Sequence, residues 1–293
     1  MTIRLPVIVG ILGMLALPGV AFAEEITGRV PDASRVVSIG DSVTEIVYAL
    51  GEEGRLVGRD STSTYPDAAN KLPDVGYMRA LSPEGVLSIN PTAIIAVEGS
   101  GPKETIEVLK KASVPFVFVP ENYTAASVTE KIRIVGKSLG ADDKAEKLAQ
   151  RVELDLAAAQ AETSNIKARK RVLFILSAHG GKILASGTKT AANGIIELAG
   201  AENAITEFQG YKPLTDESII TAKPDVILVM DRGGDHSAAN ADLLANKAIA
   251  ATPAGEAKNI VRMGGQYLLG FGPRTAQAAH DLAKAFYGNE LSQ

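Results

Sequence analysis

The chain has 293 residues, 46% hydrophobic and 22% charged, a globular mix with ample apolar material for one large domain or two ordinary ones. The formal net charge is −4 and no lysine or arginine run forms a basic stripe, which excludes a nucleic-acid binder held by phosphate contacts. There is no cysteine, so disulfides, thiolate zinc sites, cysteine nucleophiles and a lipid-bearing cysteine near the start are excluded too.

Residues 1–23 read as an export signal. Arg4 supplies the positive end, Leu5 to Val20 is apolar apart from small residues, and Ala21 to Ala23 ("AFA") is a small-x-small cleavage site. The apolar stretch is shorter than the ~20 residues of a spanning helix. The mature chain is expected to start near Glu24, soluble and exported.

Strands and helices then alternate. "RVVSIG" (Arg35 to Gly40) is a β-branched run ending at a glycine, and "DSVTEIVYALG" follows with Ile46, Val47 and Leu50 at helical spacing. "RLVGRD" and "PTAIIAVEG" predict strands, "PKETIEVLKKAS" a helix and "VPFVFVPE" a strand. This order predicts a parallel α/β layer over residues 24–140. "AASVTEKIRIVGKSLG" is a helix, and Asp142 is expected to cap a long one rich in Ala, Glu, Lys and Leu, with Leu148, Val152, Leu156 and Ala159 on one face. Residues 141–167 are thus a linker helix, and 168–293 a second α/β lobe. In that lobe "KRVLFILSAHGG" and "PDVILVMDRGG" are strands with loops, "TAANGIIELAG" is a helix, and residues 258–288 give two short strands and a closing helix.

The halves echo each other. "SPEGVLSINPTAIIAV" (Ser82 to Val97) aligns without a gap to "TDESIITAKPDVILVM" (Thr215 to Met230), and upstream "GYMRALS" answers "GYKPLT". The fold class is therefore α/β: two similar lobes with central, mainly parallel sheets, joined by one long helix.

"RVVSIGDSVTEIVYALGEEGRLVGRD", "SPEGVLSINPTAIIAVEG" and the long central helix resemble the substrate-binding proteins of ABC importers of the helical-hinge class, which serve siderophores, cobalamin and haem. Within that family, "DSTSTYPDAANKLPDVGYMRALSPEGVLS" is similar to the periplasmic haem-binding proteins that feed haem permeases. The resemblance covers nearly all of the mature chain. It implies ferric haem as cargo, an ABC permease as partner, and an outer-membrane haem receptor system as a candidate upstream donor. It also implies a ligand cleft between the lobes and a rigid linker helix that permits little hinge motion. The runner-up within the same fold is a ferric-siderophore or cobalamin carrier.

Tyr77 lies in a loop ahead of the helix carrying Glu84, with Arg79 two residues on. By resemblance it is the haem-iron ligand; taken alone, it reads as a half-buried loop tyrosine. A phenolate suits ferric iron, and a free phenol titrates near 10, so a neighbouring guanidinium favours the ionised form. Arg79 is placed there, or on a propionate. Tyr65 in "STSTYP" is the alternative ligand. Tyr211, the echo of Tyr77, is a candidate wall from the other lobe. His179, in a strand-end loop, is a candidate opposite-face contact or ligand of a second haem. Arg232 is a candidate partner of Tyr77 or of a propionate, and Arg274 is a candidate haem or propionate contact that reads otherwise as a surface or lobe-packing arginine. His236 reads as exposed and His280 as structural. Met78, Leu81, Met230, Tyr267, Leu269 and Phe271 are candidate apolar walls. Glu45 and Glu197, at similar places in the two halves, are by resemblance the acids that dock on permease arginines.

No GxSxG elbow, HExxH, P-loop or Rossmann glycine fingerprint is present. "GDS" at Gly40 to Ser42 resembles a hydrolase nucleophile block but has no downstream Asp-x-x-His. Three scattered histidines fit a zinc or manganese cage poorly. The expectation is a binding protein without catalysis.

Overall fold

The computed structural model describes residues 28–180, 182–231 and 239–292. The export signal, Arg232 and His236 lie outside the described residues, as does the side chain of His179.

The first lobe alternates β1 (Val36–Ile39), α1 (Asp41–Ala49), β2 (Leu56–Arg59), α2 (Pro83–Leu87), β3 (Ala93–Val97), α3 (Lys103–Lys111) and β4 (Phe116–Val119). Its sheet has the order β2-β1-β3-β4 with every pairing parallel. Strands covered on both faces are mostly apolar, and β1 and β3 are buried at every residue, with the one polar side chain, Ser38, held by Thr44 Oγ1 at 2.7 Å. Each buried Val or Ile contributes about 1.5–3 kcal/mol by leaving water.

Two helices carry the chain across. Thr124 caps α4 (Ala125–Leu139) by accepting from the Ser127 N–H at 3.1 Å, and Ser127 Oγ accepts in return from the Thr124 N–H at 3.0 Å. α5 (Asp142–Glu162) is the long helix, 21 residues and roughly 31 Å at 1.5 Å per residue. Asp142 is its first residue rather than its cap, and Asp142 and Asp143 set negative charge in the first turn, where the helix dipole favours it. The helix stops at Glu162, short of the expected end. Thr163 and Ser164 turn their hydroxyls back onto the Gln160 and Ala161 carbonyls, satisfying acceptors that the helix end leaves open.

The second lobe contains β5 (Arg171–His179), β6 (Lys182–Ser186), α6 (Ala191–Leu198), β7 (Glu202–Asn203), β8 (Tyr211–Leu214), α7 (Asp216–Ala222), β9 (Val226–Asp231), α8 (Asn240–Ala245), α9 (Lys247–Ala250), α10 (Pro253–Glu256), β10 (Ile260–Gly264), α11 (Gly265–Leu269) and α12 (Thr275–Tyr287). Its sheet runs β10-β9-β5-β6-β8, with β7 paired to β5. β10, β9 and β5 are parallel, whereas β5–β6 and β6–β8 are antiparallel. The departure from an all-parallel sheet has a local cause. Only Gly180 and Gly181 connect β5 to β6, too short for the crossover that parallel strands need. The second strand expected after β10 is instead α11, a short apolar run that periodicity cannot assign.

The lobes are not separate bodies. One apolar cluster includes Val36 and Val97 of the first sheet, Ile132 of α4, Leu148 and Leu156 of α5, Phe174 of the second sheet and Leu282 of α12.

Candidate functional site

A cleft of about 830 Å³ opens between the lobes at the carboxyl ends of the strands, within the ~300–1,000 Å³ typical of small-molecule sites. Five of the chain's seven tyrosines line it: Tyr65, Tyr77, Tyr123, Tyr211 and Tyr267. Their surroundings separate them.

Tyr77 sits on a prepared backbone. After β2 the segment 73–76 runs beside the strand end: the Val75 N–H donates to the Arg59 carbonyl at 3.0 Å and the Ser61 N–H to the Gly76 carbonyl at 2.9 Å. Arg59 Nη1 holds Asp74 at 2.8 Å, and the Asp74 carboxylate accepts from the Gly76 N–H at 2.8 Å. Gly76 takes φ +103°, a region open to glycine, and this swings the chain out of the strand path just before the tyrosine. On the far side the Ala80 N–H closes a turn onto the Tyr77 carbonyl at 2.8 Å, and the Gly101 N–H bonds the Met78 carbonyl at 2.8 Å. The loop is therefore pinned at both ends, while the Tyr77 side chain remains 46% exposed in the cleft. Among the described residues its hydroxyl has no protein partner. Arg79 lies beside it, exposed and without an ion pair among the described residues.

The other tyrosines are engaged. Tyr211 begins β8, half-buried, with its hydroxyl on the Ala192 backbone and the Thr190 side chain; burial raises its pKa against those bonds and the field of Arg79. Burial, then the Glu121 charge, pushes Tyr123 up to about 12 although Arg79 opposes the shift, and its ring packs edge-on against Phe271 with centroids 5.4 Å apart. Tyr267 donates to Asp281 at 2.8 Å; burial and that carboxylate raise its pKa. These three phenols are held in the neutral form, the wrong state for binding a cation. Tyr65 is 41% exposed, but its ring is covered by Arg274, whose guanidinium carbon lies 3.4 Å from the ring centroid.

Two of the expected site residues pair with each other. Arg274 does not offer a free charge for a propionate: its Nη2 donates to Glu45 Oε2 at 2.8 Å and its backbone N–H to Glu45 Oε1 at 3.1 Å. Glu45 is correspondingly no rim charge, being 6% exposed and consumed by that pair. Glu197 is exposed on α6, where it accepts from Asn193 at 2.9 Å. Met78, Met230, Tyr267 and Leu269 line the cleft as expected, whereas Leu81 and Phe271 are buried in the core. His179 closes β5 opposite Lys182, and His280 contacts Glu162 at 2.7 Å on the outside of the molecule.

The cleft also has an acidic floor that no sequence motif marks. Asp41 opens α1 directly below the cleft, and burial, then the charge of Asp60, raises its carboxyl to about 7 against the pull of Lys131. Its remaining surface exposure is modest, and it is crowded by Gly270 from the other lobe. Lys131, fully buried, pairs with Glu121 at 2.5 Å. Asp41 and Tyr123 both follow strand carboxyl ends, the place where ligands bind in open α/β sheets, and that rule would have marked them. Among the described residues no group of three or more His, Asp or Glu could hold a bare metal ion.

Comparisons place the chain among known proteins. The family model "Periplasmic binding protein" matches residues 36–267. The "Uncharacterized ABC transporter substrate-binding lipoprotein YvrC" of Bacillus subtilis is 30% identical over 203 residues, 68% of this chain and 64% of the relative, so the match spans less than two thirds of that protein. The "Vitamin B12-binding protein" of Yersinia pestis is 26% identical over 228 residues, 74% of this chain and 78% of the relative. Among solved structures, the "Periplasmic heme-binding protein BhuT in complex with two hemes" superposes with a TM-score of 0.82 at 40% identity, covering 86% of this chain and 97% of that one. With its two α/β lobes, its bridging α5 and its interlobe cleft, the chain belongs to the periplasmic binding protein family, in the helix-linked class of ABC-importer substrate-binding proteins.

Proposed function

We propose that this protein binds ferric haem in the interlobe cleft through the Tyr77 phenolate and hands it to an inner-membrane ABC permease, without catalysis. One observation carries the reading. Of the five cleft tyrosines, Tyr77 alone is neither stacked nor hydrogen-bonded by its side chain among the described residues, and it stands beside the unpaired Arg79. A ferric porphyrin brings four equatorial nitrogens of its own, so a single anionic axial ligand suffices. Haem is also large and mostly apolar, and the cleft offers Met78, Leu176, Met230 and Leu269 as walls.

Charge orients the ligand. The cleft is lined by Asp41, Asp67, Glu98, Glu121 and Asp231, against Arg79 and a neutralised Arg274. Anionic propionates are therefore turned away from the floor and toward Arg79, with Arg232 a further candidate. The 40% identity to a protein solved with haem favours this ligand over cobalamin. Export would proceed with cleavage near Ala23. Permease docking falls to exposed acids: Glu197, and the repeat-matched Glu84 and Glu217, each in the first turn of its helix on its own lobe.

The test is a haemin titration of the mature chain by visible absorption, with cyanocobalamin and a ferric siderophore as competitors. Saturation with a high-spin ferric phenolate spectrum that disappears in Tyr77→Phe supports the reading. Its disappearance in Tyr65→Phe moves the ligand, and displacement by cobalamin replaces haem.

A further inference from the structure

The lobes meet through two kinds of contact. The apolar cluster joining α4, α5 and α12 is broad but non-directional. At the cleft the contacts are few and directional. Gln266 Oε1, from the second lobe, accepts from the backbone N–H and the hydroxyl of Thr64 in the first, at 3.1 and 2.8 Å. Arg274, also from the second lobe, grips both carboxylate oxygens of Glu45 on α1. The same guanidinium lies flat on Tyr65 of the first lobe and 5.2 Å from the ring centroid of Tyr267 of the second. A Cβ placed on Gly272 would lie 3.2 Å from the Glu45 carboxyl carbon, a tight contact, so glycine lets this segment pass close to the carboxylate.

We propose that Gln266 and Arg274, with Thr64, Tyr65 and Glu45, form an interlobe clasp that fixes the spacing of the cleft before ligand arrives. Arg274 is then a positioning residue, not an anion receptor. Two features favour positioning over stability. Apolar packing tolerates sliding, whereas a carboxylate held at both oxygens and an amide held by two donors do not. The clasp is also incompletely satisfied: Arg274 Nε and Gln266 Nε2 are buried with no acceptor among the described residues, which offsets what the ion pair contributes. The proposal rests on the cleft being the binding site, but not on haem being the ligand.

The absence of cysteine allows a clean test. Val108→Cys on α3 and Ile220→Cys on α7, both exposed, take one spin label in each lobe. Electron–electron distance measurements on the ligand-free protein then read the lobe spacing. In the clasped protein the distribution is expected to be narrow. In the neutral pair Glu45→Gln/Arg274→Met it should broaden by several ångströms, and haemin should dissociate about tenfold faster while the Tyr77 spectrum is kept. An unchanged distribution in that pair overturns the clasp. If the pair fails to fold, Gln266→Ala decides: broadening supports the clasp and an unchanged width sinks it. Broadening in a protein that never bound haemin leaves the clasp standing and removes the haem reading.

Discussion

Gly76–Tyr77 in the first lobe and Gly210–Tyr211 in the second hold matching places in the internal repeat, and both glycines take positive φ, +103° and +79°. Beyond the glycine the paths part. Tyr77 enters a turn and leaves its hydroxyl in the cleft, whereas Tyr211 enters β8, opposite Ser186 of β6, and turns its hydroxyl onto Thr190 and Ala192. The first lobe has no counterpart of the β5–β6 hairpin, so no edge is available to capture its tyrosine. The same dipeptide thus yields an available phenol in one lobe and a structural one in the other, decided by whether a neighbouring strand exists.

The strongest way to break this contrast is to exchange the roles on the ligand side. Tyr77→Phe removes the available phenol and should weaken haemin binding on the order of 100-fold, about 2.7 kcal/mol, with loss of the phenolate band. Tyr211→Phe should keep the band and change affinity by less than about threefold, under ~0.7 kcal/mol. Titration of the two variants side by side reads the difference; equal losses would mean that both lobes ligate.

Charge sharpens the comparison next. Four of the five acids lining the cleft come from the first lobe: Asp41, Asp67, Glu98 and Glu121. Asp41 carries the clearest consequence. Its carboxyl is raised to about 7 in the folded protein, so the folded state binds the proton more tightly than the unfolded chain. That contribution is fully present below the unfolded value near 4 and is lost as pH rises through about 7. Asp41→Asn keeps an acceptor for the Ser42 N–H but has no proton to lose. It should therefore raise stability at pH 8 by up to about 4 kcal/mol and by little near pH 4. Melting temperatures across that range check it; a gain that does not grow with pH would show that Asp41 ionises freely.

How much of this was legible follows from where each partner lies along the chain. The β1–α1 unit could be read locally, from a β-branched run closed by Gly40 and an apolar face behind it. Tyr77 could be singled out because glycine, tyrosine and arginine fall within four residues ahead of a capped helix. The role of Glu45 could not, since its partner Arg274 is 229 residues away and nothing near Glu45 signals burial. The side-chain bonds of Tyr211, which lines the cleft as expected, could not be read for a related reason. Its strand exists only because β6 folds back on β5, and pairing across an edge leaves no mark in "GYKPLT" itself.

The smallest effect is the finest test of that last point. If Tyr211 is structural, its hydroxyl contributes to folding through the bonds to Thr190 and Ala192, and a buried hydrogen bond of this kind is worth about 1 kcal/mol. Tyr211→Phe should then lower stability by about that amount. The hydroxyl of Tyr77 has no protein partner among the described residues, so Tyr77→Phe should change stability by less than about 0.5 kcal/mol. Urea unfolding of the ligand-free variants measures both. The two substitutions remove the same atom from the same dipeptide context, so side-chain size and local sequence cancel in the difference. What remains is the contribution of the neighbouring strand and helix, and a Tyr77→Phe loss as large as that of Tyr211→Phe would mean that the first-lobe phenol is held by the fold rather than left for a ligand.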